Sequence, residues 1–415
     1  MRITTVIAGL SGGGAERVCV NLANAWAARG WDVTILTVSQ KTAASAYTID
    51  SCVRRRDIGW PRGADRKELN ANSLAPVLRG LHGVACFEII WEMPLLAMLR
   101  YAILATTPNV VVAHIDFTNV RVLAAMHETG IPVIACEHTD TSQFSIGSWQ
   151  NTREALYRRA RAVVAPHPAI AEWLKLRGAW AYAIPNPLNA PPSICVERTG
   201  GRQRLVTLTR LSPEKRVDLL VRAFASIVGY FPKWDLEVYG NGPLRMPLAR
   251  LVEELAPGRV QLRGFTNAAY AVLRGADLFV SASWVEGFGN AIWEALACGV
   301  PVVAIDCGAP VRSLVRDGID GLIVHTDSTE ALASALASLM GNETARNALA
   351  ARASEVLTRF SFESSLEAWD ALLDDVAGRR EVRSELSEPV TMRHIDGFGL
   401  MSRSRRVPGS DRASW

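Results

Sequence analysis

Short apolar runs alternate with helical stretches along the chain, in two successive series. The first series is Ile3–Ala8, Val33–Val38, Val110–Ala113, Ile131–Cys136, Ala162–Ala165 and Ala181–Ile184. The second is Leu205–Thr209, Leu236–Tyr239, Val260–Leu262, Leu278–Ser281, Pro301–Ile305 and Gly321–Val324. Runs this continuously apolar suit strands buried on both faces, and strand–helix–strand alternation builds a parallel sheet covered by helices. Between the series lies PNPLNAPPSICVERTGGRQ, residues 185–203, whose prolines and polar groups read as a linker. The expectation is therefore an α/β chain of two doubly wound domains facing across a cleft. Residues 1–185 form the first, 186–203 a hinge, 204–375 the second and 376–415 a tail. Sheets of this kind bind ligands beyond the carboxyl ends of their strands, so loops at strand ends are where chemistry is sought.

The loop after the first strand, SGGGAER at 11–17, opens a helix with an apolar face of Val18, Leu22 and Trp26, which Gly30 stops. Glycines let a backbone approach a bound group, and a helix start offers free N–H groups to an anion. The dinucleotide pattern G-x-G-x-x-G fails here, because Arg17 stands in the third glycine's place. The second strand also ends in Ser39, Gln40 and Lys41, without the acidic residue that holds a ribose. A nicotinamide site is thereby disfavoured, and a tight structural turn stays open beside a sugar-nucleotide or acceptor contact.

In the second half, WVEGFGNAIWEALACGVPVV (284–303) sets Glu286 on the loop after a strand and Glu294 eight residues on, inside the next helix. Gly287 and Gly289 permit a tight backbone, Asn290 is a candidate helix cap, and the helix start suits a diphosphate. Carboxylates are poor neighbours for phosphate, so these two should bond sugar hydroxyls. A second E-x7-E pair, Glu355 and Glu363, lies in an ordinary helical stretch and shows that spacing alone means little. LTRLSPEKRVDLL (208–220) puts Arg210 and Lys215 on one strand-end loop, where both cations can converge on phosphates. YGNGP (239–243) and LRGF (262–265) close the next two strands.

These motifs, with ACGVPVV, the hinge PNPL and GGAER at 13–17, occur in one order from Ile3 to about Asp375. In that order and rough spacing the chain resembles a retaining GT-B glycosyltransferase of family 4 type. GGAER makes it similar to bacterial enzymes that extend polyprenyl-diphosphate-linked glycans. The resemblance implies two Rossmann-like domains and transfer from a nucleotide sugar, with UDP expected from the subgroup. It implies that Arg210 and Lys215 hold the donor diphosphate, Glu286 the transferred sugar and Glu294 the ribose. Gly13, Gly14, Gly240, Gly287, Phe288, Gly289, Asn290 and Ala291 would contact the donor, with Gly264 and Phe265 beside the base. EHTD (137–140) resembles the family's histidine loop and brings His138 towards the donor sugar. The implied mechanism is front-face displacement with no protein nucleophile, metal or other cofactor. His114 and Asp116, in AHIDFTN, end another strand and remain open as site residues. Two positions depart from the family: His167 stands where relatives often carry serine, and Arg312 where many carry glutamate.

The chain's 415 residues are 49% hydrophobic and 21% charged, a globular composition. Its net charge of +4 is concentrated in the tail, where eight arginines face five acids, so no basic stripe for nucleic acid is expected. The cysteines at 19, 52, 86, 136, 195, 298 and 307 form no C-x-x-C pair, which suits reduced thiols and neither a zinc site nor a disulfide frame. MRITTVIAGL reads as a strand and not as a signal peptide, and no apolar run spans a membrane. The apolar segment 80–105, downstream of Arg54, Arg55, Arg56, Arg62, Arg66 and Lys67, reads either as a core helix or as a docking face for an anionic membrane. The expected location is the cytoplasm, peripherally on the inner face of the cytoplasmic membrane. A soluble acceptor, an oxidoreductase using the glycine loop and a non-catalytic binding protein remain as alternatives.

Overall fold

The computed structural model describes residues 1–38, 45–59, 71–84, 87–193 and 201–378. Ser39, Gln40, Lys41, Arg62, Arg66, Lys67, Cys86, Cys195 and most of the tail lie outside them.

Seven strands form the first sheet: β1 (Arg2–Ile7), β2 (Asp32–Thr37), β3 (Arg54–Asp57), β4 (Val110–His114), β5 (Val133–Cys136), β6 (Ala162–Ala165) and β7 (Ala181–Ala183). Their order is β3-β2-β1-β4-β5-β6-β7, and every pairing is parallel. The second sheet contains β8 (Gln203–Leu208), β9 (Trp234–Tyr239), β10 (Val260–Gly264), β11 (Leu278–Ser281), β12 (Val302–Ile305) and β13 (Gly321–Val324). It runs β10-β9-β8-β11-β12-β13, again all parallel. Each sheet reverses its winding once, between β1 and β4 and between β8 and β11. A crevice opens at such a reversal because the flanking loops leave in opposite directions. The buried VVVAH of β4 and VVAI of β12 are sandwiched by helices, which is why their sequences do not alternate.

The twelve apolar runs correspond to twelve of the thirteen strands, within one or two residues at most ends. The thirteenth, β3, is RRRD, whose charge disguises it. Arg54–Arg56 form an exposed edge strand rather than a loop, with Arg54 paired to Asp32 and bonded to Thr34 Oγ1 at 3.3 Å. Charge on an edge discourages pairing with another chain.

The 80–105 segment belongs to three helices, Ala71–Leu81, Phe87–Trp91 and Met93–Leu104. Leu95, Leu96, Leu99 and Ile103 are core, while Ile90, Trp91 and Tyr101 are exposed.

One boundary differs from expectation. Phe362–Gly378 is a helix that buries Leu366, Trp369, Leu372, Leu373 and Val376 among residues of the first sheet and the Gly14–Ala28 helix. Trp369 meets Trp26 edge-to-face at 5.8 Å, and Arg29 Nη2 pairs with Asp370 at 2.6 Å. The chain thus returns to its first half, so 204–375 is not one packing unit and Val376–Gly378 are not tail. The apolar stripe was legible in sequence but its partner was not. Trp369→Ala should cost about 3–5 kcal/mol, the usual range for emptying a buried tryptophan site. Urea unfolding would show the loss, and an unchanged midpoint would mean that this helix does not hold the first half.

Candidate functional site

The loops after β1, β4 and β5 face the loops after β8, β9, β10 and β11 across a cleft of about 860 Å³. It is lined by Gly13, Gly14, His138, Arg210, Lys215, Gly240, Phe265, Glu286, Gly287, Phe288, Gly289, Asn290, Ala291 and Glu294. Gly264 is not among the lining residues. Its carbonyl accepts the Gly240 N–H at 2.7 Å, so it supports the cleft wall from behind. Phe288 is 2% exposed and stacks edge-on against Phe360, so most of its ring belongs to the core.

The cations and carboxylates are brought together as pairs. Lys215 Nζ lies 2.7 Å from Glu286 Oε1, both largely shielded from water. Lys215 sits at the end of a short Pro213–Lys215 turn, and Glu286 on the β11 loop. Glu294, 6% exposed on the Asn290–Ala297 helix, is paired with Arg17 from the opposite half. Arg210 is exposed on the cleft wall. Its loop passes so close to the end of β9 that a Cβ on Gly240 would lie 1.8 Å from the Thr209 carbonyl oxygen, so only glycine fits. The second E-x7-E pair stands apart, with Glu355 bound to Arg316 and Arg352.

The glycine loop is not an open anion nest. Glu16 Oε2 accepts the Gly13 N–H at 3.0 Å and also the Gly12 N–H, so these two donors are taken within the loop itself. Burial pushes the Glu16 carboxyl up, opposed by those two N–H groups and by the Arg210 charge. What the glycines provide is contact between the halves. Gly14 abuts Asn290, whose Nδ2 donates to the Gly14 carbonyl at 3.2 Å. Asn290 does not cap its helix, as the sequence suggested; Gly289 holds that position at φ +95°. The Asn290 carboxamide instead joins the glycine loop to Asn186 Nδ2 in the hinge, at 2.8 Å.

At the ends of β4 and β5, His114 Nδ1 and His138 Nε2 are 3.1 Å apart and the rings stack at 25°. The sequence left His114 open; the structure makes it the buried partner of the cleft-lining His138. Cys136 lies close to both. Glu137, between them in sequence, turns into the core and accepts from Tyr157 Oη. His167 caps the Pro168–Lys175 helix by accepting the Ala169 N–H at 3.1 Å, a role serine could also fill. Arg312 pairs with Asp306 at 2.8 Å on the surface.

Burial holds these imidazoles neutral. His138 and His167 are each lowered to about 4, and His114 well below its ordinary value. Unfolded, each takes a proton near pH 6.5, so their effect on stability is nil above that and grows as pH falls towards about 4. Glu137, pushed up to about 7 by burial and the nearby Asp116, acts oppositely: its contribution is present below pH 4.5 and lost as pH rises through about 7. Between pH 6.5 and 5.0 the three imidazoles work against Glu137, and burial raises the Glu16 and Asp116 carboxyls as well. Stability should fall on acidification from pH 6.5, where the imidazoles begin to charge in the unfolded chain and Glu16 and Asp116 are still ionised in both states. Urea midpoints at pH 6.5 and 5.0 check this, and level midpoints would refute it.

Sequence reasoning missed Glu16, Tyr47, Asn186 and Tyr270, and it took Arg17 for a defect in a pattern. The available signal was GGAER itself, read as a unit.

Comparisons with known proteins agree with this architecture. Residues 12–190 match the family described as Glycosyltransferase Family 4, and residues 202–342 match Glycosyl transferases group 1, which together make up most of the chain. The exopolysaccharide phosphotransferase of Streptomyces coelicolor is 27% identical over 100% of this chain and 45% of its own length. The undecaprenyl-diphosphate-linked glycan α-1,4-N-acetyl-D-galactosaminyltransferase of Campylobacter jejuni is 24% identical, over 91% of this chain and 99% of its own. The chain spans less than half the length of the first curated relatives it matches. A Staphylococcus aureus TarM variant solved with UDP and α-GlcNAc-glycerol superposes at TM-score 0.72 with 13% identity, covering 90% of this chain and 99% of that one, a likeness of fold. With two sheets wound alike, the cleft at their switch points and both halves matched, the chain belongs to the GT-B glycosyltransferases, family 4 in its first half and group 1 in its second.

Proposed function

We propose that the protein transfers a sugar from a nucleotide sugar, with UDP as the nucleotide, to a glycan acceptor carried on polyprenyl diphosphate, in surface polysaccharide or glycoconjugate assembly. The observation that carries this reading is the convergence of Arg210, Lys215, Glu286 and Glu294 on the cleft where the Asn290–Ala297 helix begins. Two cations and a helix start suit a diphosphate, and two carboxylates suit sugar and ribose hydroxyls.

The donor's C1–O bond to the diphosphate breaks as C1 bonds the acceptor oxygen on the same face, with retention. The acceptor proton passes to the leaving phosphate oxygen. Arg210 and Lys215 stabilise the charge that develops there, the usual dominant contribution to catalysis of this kind. The protein supplies no nucleophile, and its own cations fill the place a metal takes in other transferases. His138, held neutral, hydrogen-bonds a hydroxyl of the donor sugar. The undecaprenyl-diphosphate-linked acceptor for which the Campylobacter relative is named supports a lipid-linked glycan, and UDP in the TarM complex supports the nucleotide.

Among the described residues no helix is long and apolar enough to cross a membrane. Peripheral attachment on the cytoplasmic face would use exposed Leu78, Ile90, Tyr101 and Phe117 on helices of the first half.

Thermal unfolding with UDP, GDP and NAD tests the donor class. A concentration-dependent rise with UDP only is expected, since a ligand of the native state alone stabilises it. Stabilisation by NAD alone would return the glycine loop to the oxidoreductase reading. Incubation with UDP-sugars and a polyprenyl-diphosphate glycan, against a free oligosaccharide, then separates lipid-linked from soluble acceptors.

A further inference from the structure

Arg17 occupies the place where a dinucleotide fold would carry its third glycine. Its guanidinium crosses the cleft between two aromatic rings, 5.4 Å from the centroid of Tyr47 and 5.2 Å from that of Tyr270. There it pairs with Glu294 through Nη1 and Oε1. Both rings are themselves fixed. Tyr47 Oη donates to the Gly13 carbonyl at 3.0 Å in the first half, and Tyr270 Oη donates to the Asn189 carbonyl at 2.6 Å in the hinge. Glu16, next in sequence, anchors the loop from which Arg17 leaves. The pair is largely out of water, with side chains 17% and 7% exposed, so its geometry is held rather than averaged.

Arg17 takes Oε1 of Glu294. Oε2 accepts no hydrogen bond from any described residue, and the carboxylate stands in the wall of the cleft. A carboxylate beside a diphosphate site is repelled by phosphate and suits a pair of neighbouring hydroxyls, each donating to it. Without the guanidinium, the Glu294 carboxylate would lose the partner that fixes its orientation and would be left uncompensated at that depth.

We propose that Arg17 is a positioning residue for the donor: from the opposite half of the chain it holds the Glu294 carboxylate in the orientation that accepts the ribose hydroxyls of a nucleoside diphosphate. This rests on the donor-site reading above and deepens it. Recognition of the ribose by the second half then depends on a first-half side chain, and so on closure of the cleft. Arg17 acts on the ribose and leaves the diphosphate contacts of Arg210 and Lys215 unaltered.

Calorimetric titration of the wild type, R17Q and R17K with UDP and GDP, each beside its 2′-deoxy counterpart, tests this. The wild type should prefer the ribonucleotide by about tenfold or more, as expected for hydrogen bonds to a charged group. R17Q should lose most of that preference while binding the 2′-deoxy form about as well as the wild type does. R17K, which keeps the charge without the planar fork, should fall between and carries the test if R17Q does not fold. A preference left intact in both variants would overturn the inference and leave the donor reading standing. An equal loss of both nucleotides would also overturn it, since that is what a general structural role gives. A wild type that binds no nucleoside diphosphate would overturn both.

Discussion

Lys215→Ala should lower sugar transfer by about two to three orders of magnitude, the range seen when one charge-stabilising donor is removed from a transition state. The truncation removes a cation and also strands an anion. Glu286, 2.7 Å from the ammonium and 17% exposed, would be left uncompensated beside a diphosphate. UDP affinity should therefore fall too, and K215A/E286Q should regain part of the affinity without regaining transfer. Titration with UDP and a radiolabelled transfer assay separate the two. If K215A transfers sugar at the wild-type rate, Lys215 does not stabilise the leaving group.

Gly287→Ala should act on closure. A Cβ there would lie 2.3 Å from the His138 carbonyl oxygen and 2.9 Å from the Thr139 amide nitrogen, backbone atoms of the other half. Neither can swing away as a flexible side chain would, so the halves must part by a large fraction of an ångström or more. Displacement on this scale costs a reaction that depends on alignment about a hundredfold. The fold of each half should survive, because the clash lies between them. Gly229→Ala, with open space around its Cβ, is the control that should change nothing. Transfer rates of the two variants at saturating donor decide the matter, and equal rates would mean that the contact between Gly287 and the His138 loop is dispensable.

The sequence alone determined the architecture. Twelve continuous apolar runs in two series specify parallel strands buried on both faces, because only helices covering both sides make such runs stable in water. It also singled out Arg210, Lys215 and Glu286 on loops that follow strands and Glu294 in the helix after the last of those loops, and all four line the cleft. β3 escaped because an edge strand need not be apolar, and RRRD carries none of the periodicity that marks a buried one.

Only the tertiary structure decided the pairings. That Lys215 meets Glu286, that Arg17 reaches Glu294 across 277 residues, and that Trp369 returns to Trp26 depend on winding order and on how the halves close. Local spacing carries no record of either. The glycine loop illustrates the difference. Its composition permitted a phosphate, but the carboxylate of Glu16, one turn along the same helix, reaches its N–H groups first. Gly12 and Gly14 lie against Phe265 and Asn290 of the other half, contacts that only the closing of the chain on itself creates.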